Sequence, residues 1–144
     1  MNNGCAPTAA VVYFITKAVM RVKVKISELF TYLQYINSPL YYCFDRKNYK
    51  ICDASHLEEQ HDSFYPRYIP LLQIDEKSIE KSFILSLNDK RILRMYNSPD
   101  FNFNAFVESP PERWARWWSY YKTTVFDLEK EWCEEHSIKY IYDL

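Results

Sequence analysis

Apolar and polar positions change their period several times along this chain, and each change marks an element. Val22-Lys23-Val24-Lys25-Ile26 alternates with period two, which predicts a strand with one buried face. Ser27 then offers an N-cap oxygen, and Leu29, Phe30, Leu33 and Ile36 share a helical face until Asn37-Ser38-Pro39 ends it. Residues 40–44 and 49–52 flank Asp45-Arg46-Lys47-Asn48 and predict a hairpin. The apolar pattern sets Phe44 against Tyr49 and Tyr42 against Ile51, with Asn48 taking the left-handed turn position.

Residues 53–65 are acidic and read as a loop or short polar helix, after which Pro66 and Pro70 keep the chain extended to Ile74. Asp75 caps a helix through Leu87 on the face Ile79, Phe83 and Leu87, and a second helix covers residues 89–96. Residues 97–109 form a loop whose Phe101, Phe103 and Phe106 pack on the core. Ser109-Pro110-Pro111-Glu112 has the form of a capping box. From it runs a long helix with Trp114, Trp117, Tyr121, Val125, Leu128 and Trp132 as its buried stripe, and residues 138–142 alternate like a last strand.

These elements predict an α+β fold. A small antiparallel sheet from the N-terminal strand and the hairpin, with the tail as a candidate further strand, is packed by three or four helices, the last the longest. Residues 20–144 form one globular domain, long enough to bury its own core. Residues 1–19 read either as a loosely structured extension or as sequence upstream of a start at Met20: the apolar run over residues 9–15 is too short to span a bilayer and lacks a basic lead-in.

Composition narrows the chemistry. The single glycine, Gly4, leaves no material for a dinucleotide fingerprint, a P-loop or a nucleophile elbow, all of which need backbone without a Cβ. A net charge of −1 gives no global field toward nucleic acid or an anionic membrane. Cys5, Cys43, Cys52 and Cys133 show no ligand spacing and read as reduced thiols of a cytoplasmic protein. Cys43 and Cys52 fall diagonally on one hairpin face, as a conceivable redox pair or as two small strand residues.

His56-Leu57-Glu58-Glu59-Gln60-His61 is the nearest approach to a metal motif, completed by Asp53, Glu58 or Asp62. Its histidines are five apart, not the four that aligns imidazoles on a helix, so no metal and no cofactor is expected. Glu129, Glu131, Glu134 and Glu135 read as a solvated face. Arg113, Arg116 and Lys122 interleave with Trp117, Trp118, Tyr120 and Tyr121, and Arg91 and Arg94 are candidates to join them. Trp118 lies off the main stripe, so Arg113, Arg116, Trp118 and Lys122 form the candidate binding surface, with no catalytic set beside it. The leading expectation is a non-enzymatic protein-binding or regulatory module. The alternative is RNA or single-stranded nucleic acid, phosphates on the cations and bases on the rings.

Met20-Arg21-Val22-Lys23-Val24, the hairpin Tyr41-Tyr42-Cys43-Phe44 and Arg67-Tyr68-Ile69-Pro70 stand in a recognisable order. With the helix after Asp75, Phe106, Trp117-Trp118-x-Tyr120 and Glu131-Trp132-Cys133-Glu134-Glu135-x-x-Ile138-x-Tyr140, the chain resembles the bacterial uncharacterised protein family one-five-eight. The hairpin lacks the glycine usual in such families, and His136-Ser137 stands where a helix more often ends in Gly or Asn. The resemblance implies the α+β fold and carries over no activity and no site residue.

Overall fold

The computed structural model describes residues 22–61 and 63–144; the expected extension and the start at Met20 fall outside them. The fold is α+β, with small sheets and a long C-terminal helix carrying an aromatic cluster. In chain order come β1 (Val24–Lys25), α1 (Ile26–Thr31), β2 (Gln34–Tyr35), β3 (Tyr42–Asp45) and β4 (Lys50–Asp53). A 3-10 turn (Ala54–Glu59) leads to β5 (Tyr68–Pro70), β6 (Gln73–Ile74), α2 (Glu76–Ser86) and α3 (Lys90–Tyr96). The chain closes with α4 (Phe103–Glu108), α5 (Pro111–Glu135) and β7 (Tyr140–Ile141).

Strand pairing differs from the single expected sheet. β3 is the centre of an antiparallel sheet with β4 and β5 at its edges, while β1 pairs in parallel with β7 and β2 in parallel with β6. The N-terminal strand therefore joins the tail and not the hairpin. Two residues suffice for it, because Ile26 already begins α1.

The hairpin register also slips by two residues: Phe44 faces Ile51, Cys43 faces Cys52, and Asp45–Lys50 is the last pair before the turn. A slip of two keeps each side chain on its face, which is why the apolar pattern alone did not exclude it. Asp45 holds this register. Its carboxylate accepts from the Lys47 and Asn48 backbone N–H groups and from Arg67, which leads into β5. The turn accordingly puts Tyr49, not Asn48, in the left-handed region at φ 56°. The Tyr49 ring lies edge-on to Phe44 at 5.0 Å, and its hydroxyl accepts from the Lys139 N–H, so the turn is pinned to the tail.

Helix ends show the same economy with glycine. Asp75 and Asp89 cap α2 and α3 as expected, accepting from Ser78 N–H and from Arg91 and Ile92 N–H. The expected capping box is not formed: the N-cap of α5 is Pro110, and Ser109 lies one residue too early to reach the first free N–H groups. Residues 103–108, expected as loop, form α4 because Asn102 caps it, accepting from Ala105 N–H at 3.0 Å. At the other end of α5, Ser137 takes φ 55°, Ile138 N–H bonds Cys133 O at 2.8 Å and Ser137 N–H bonds Glu134 O at 3.2 Å. That is a Schellman closure with serine where glycine is usual.

Ser27 does not cap α1; the N-cap is Lys25, without a side-chain bond. The tail supplies the cap, since Ser27 N–H donates to Asp143 Oδ1 at 2.9 Å and its hydroxyl to Oδ2. Asp143→Ala is expected to cost about 1 kcal/mol of stability, as lost helix caps do. Urea unfolding of the variant checks this; an unchanged midpoint would show that the tail contact carries nothing.

α5 runs through both halves of the core. Its C-terminal half, with Phe126, Trp132 and Cys133, packs with Val24, Leu29 and Phe44, and its N-terminal half, with Trp117, Tyr121 and Val125, packs with Phe83, Phe103 and Val107. Phe30 bridges the two, edge-on or tilted to Trp118, Tyr121 and Phe126.

Candidate interaction surface on the long helix

A helix advances about 100° per residue, so positions two apart point to nearly opposite sides. Arg116 and Trp118 are such a pair, and the structure places the four candidate residues on two flanks of α5. Trp118 and Lys122, one turn apart, lie on the flank toward α1. Arg113 and Arg116 lie on the flank toward α4 and α2.

The arginine flank has its own contacts. Arg113 Nη1 donates to the carbonyls of Phe106 and Ser109 at 3.1 and 3.0 Å, and its guanidinium lies 4.0 Å from the Phe106 ring centroid. It closes the C-terminal end of α4 and offers little to a ligand. Arg116 is exposed on an open groove of ≈ 570 Å³ between α2 and α5, beside Phe83, Ser86, Tyr120 and Thr123. The Ser82 and Tyr120 hydroxyls bond each other across the two helices. Arg91 and Arg94 sit on α3, which packs against α2.

The tryptophan flank is different. Trp118 is 45% exposed, stacked on Tyr121 at 6.2 Å and edge-on to Phe30 at 5.9 Å. Trp114, expected on the buried stripe, is 47% exposed, because the stripe at this end of α5 narrows to Trp117 and Tyr121. Beneath the rings the Tyr121 hydroxyl pairs with that of Tyr35 at 3.1 Å, and burial raises its pKa. Lys122 places its ammonium 5.5 Å from the Phe126 ring centroid. The flank therefore offers the Trp118 indole on an ordered base, with the exposed Trp114 one helical turn before it and Lys122 one turn after it.

The polar stretch after β4 gathers less. His56 stacks on Tyr68 at 5.0 Å and lies 3.6 Å from a Glu59 oxygen, beyond hydrogen-bond range, while His61 is exposed. Among the described residues no three His, Cys, Asp or Glu side chains gather as a metal shell requires; Asp62 is outside them.

Two features were misread or missed in the sequence. Glu129, expected on a solvated face, is 2% exposed, and its Oε2 has no hydrogen-bond partner among the described residues. Burial pushes its pKa up to about 8. The signal was present, since Glu129 follows Val125 and Phe126 by four and three residues and precedes Cys133 by four. Cys133 is buried as well, its thiol pushed up to about 12 by burial and then by Glu129 and Glu134, which rules it out as a ready nucleophile. The Asp45–Arg67 pair has no sequence signal, because its partners are 22 residues apart, one on β3 and the other just ahead of β5.

No helix among the described residues is long and apolar enough to cross a membrane. Compared with protein-family models, curated proteins and solved structures, the chain matches none.

Proposed function

We propose that this chain is a small cytoplasmic, non-enzymatic module that binds another protein through the Trp114–Trp118 flank of α5. The observation that carries the reading is Trp118: its ring is fixed by Tyr121 and Phe30 yet nearly half of it faces solvent. An indole held in place from one side loses little conformational freedom on docking, which is what makes aromatic anchors dominate protein interfaces. The neighbouring Trp114 extends the apolar area along the helix. The resemblance to the bacterial family one-five-eight remains part of this reading and adds no activity to it.

The test is capture from nuclease-treated lysate with three proteins side by side. Wild type and Arg116→Glu are expected to retain the same discrete protein, and Trp118→Ala, folded by circular dichroism, is expected to lose it. Retention by folded Trp118→Ala would overturn the reading.

A second reading, single-stranded nucleic acid, is favoured by one observation: Lys122 lies one turn from the open Trp118 face. Against it, Arg113 is engaged with carbonyls and Arg116 points to the other flank, so few phosphates would be met. Binding of a labelled oligonucleotide that falls steeply with salt and disappears in Trp118→Ala would support this second reading over the first.

A further inference from the structure

Cys43 on β3 and Cys52 on β4 are directly opposed in the antiparallel ladder, not diagonal, and their Sγ atoms lie 3.1 Å apart. Opposed residues in such a ladder sit about 4.5–5.5 Å apart at Cα, inside the roughly 4.4–6.8 Å range that disulfides occupy. The hairpin register therefore already brings the two sulfurs into contact, within reach of a bond. The two thiols differ in access: Cys43 is fully buried, in the central strand of the sheet, whereas Cys52, on the edge strand, is partly exposed.

The geometry points to a reversible disulfide site, Cys43–Cys52, that forms by exchange with a small disulfide, Cys52 reacting first and Cys43 resolving. In the first step the Cys52 thiolate attacks one sulfur of the small disulfide; the S–S bond breaks and one small thiolate leaves. In the second, Cys43 loses its proton to that thiolate or to water, attacks Cys52 Sγ and expels the second small thiolate, which is protonated in turn. The balance is two protein thiols plus one small disulfide giving one protein disulfide plus two small thiols; the protein is oxidised by two electrons and the reagent reduced by two.

The division of roles follows from the surroundings. Burial is the main cause that pushes the Cys43 thiol up to about 12, with Cys52, Asp45 and Asp53 adding to it, so Cys43 is a poor first nucleophile toward solvent. Once Cys52 carries a mixed disulfide, however, its sulfur is already in contact with Cys43, and the second step is intramolecular. Cys133 does not compete, being buried with its thiolate disfavoured.

Glutathione disulfide, added to the full chain carrying Cys5→Ser, tests the site by intact mass and by peptide mapping after acid quench, unfolding and alkylation. The expected result is a protein lighter by two hydrogens, with Cys43 and Cys52 linked, both protected from alkylation, Cys133 alkylated, and dithiothreitol restoring both thiols. Cys43→Ser is expected to stop at a stable glutathione adduct on Cys52. A lasting adduct on Cys52 in the protein that retains Cys43, or both cysteines still fully alkylated, would overturn the proposal. Those two outcomes need no variant at Cys43, so they decide the matter even if Cys43→Ser does not fold.

Discussion

Glu129→Gln is expected to stabilise the protein at pH 8 by about 3 kcal/mol and to change little near pH 4.5. Burial raises the Glu129 carboxyl from 4.5 to about 8 in the folded chain. Between those values the folded protein keeps a proton that the unfolded chain has released. The unfolded state then binds fewer protons, so stability falls as pH rises through this window and levels off above it. At about 1.4 kcal/mol per pKa unit the full window corresponds to roughly 4–5 kcal/mol, an upper figure because a buried carboxylate draws in water and relaxes its surroundings. Glutamine keeps the size and the neutral polarity and removes the proton. Chemical unfolding of both proteins from pH 4.5 to 9 checks this: the two curves should meet at the acid end and diverge above it. Parallel curves would mean that Glu129 is solvated in solution. His136, whose pKa burial lowers, contributes a slope of opposite sign below pH 6.5 in both proteins and cancels in the comparison.

Asp45→Ala is expected to cost about 2–4 kcal/mol, a large effect for a polar residue of the sheet. The carboxylate is 2% exposed and accepts from Lys47 N–H, Asn48 N–H, Asn48 Nδ2, Arg67 Nε and Arg67 Nη2, at 2.9, 3.4, 2.9, 3.0 and 3.2 Å. Alanine leaves the turn N–H groups and the guanidinium without their common acceptor and frees the register to slip back. The Arg67 hydrogen bonds chiefly, with those from Lys47 and Asn48, hold the Asp45 pKa at about 2, below its ordinary 3.8. A depressed acid contributes stability above its unfolded pKa and loses it as pH falls through the folded one, here between about 4 and 2. The contribution is about 2 kcal/mol or less, since the Arg67 side chain is 41% exposed and solvent weakens its charge. Wild type should therefore lose stability over that acid range and Asp45→Ala should lose less of it, as thermal melts at pH 2, 3, 4 and 5 would show. A variant that matches wild type at pH 5 would contradict the role given to this carboxylate.

What could be read in the sequence followed the local signals. α2, α3 and α5 are set by period and by Asp75 and Asp89, and all three lie close to where the pattern put them. The pairing of β1 with β7, and of β2 with β6, joins residues far apart in the chain through strands of two residues each, too short to carry an alternation of their own. Turn chemistry misled because a chain nearly without glycine closes its turns on Asn37, Tyr49, Asn88 and Ser137, of which only the asparagines advertise the left-handed region. The candidate surface was half legible. Trp118 was singled out by its place off the stripe, but grouping it with Arg116 ignored that residues two apart on a helix face opposite ways. Trp114 shares the angular position of buried residues and is nevertheless exposed, which only the tertiary packing decides.

The docking claim is tested most directly by fluorine NMR of 5-fluorotryptophan-labelled protein, mixed with the partner captured by wild type. Trp114 and Trp118, assigned by single substitution, should shift or broaden on binding, while Trp117 and Trp132, buried in the two halves of the core, should stay. A spectrum in which Trp118 is unmoved while the partner is bound would contradict the assignment of this flank as the interface.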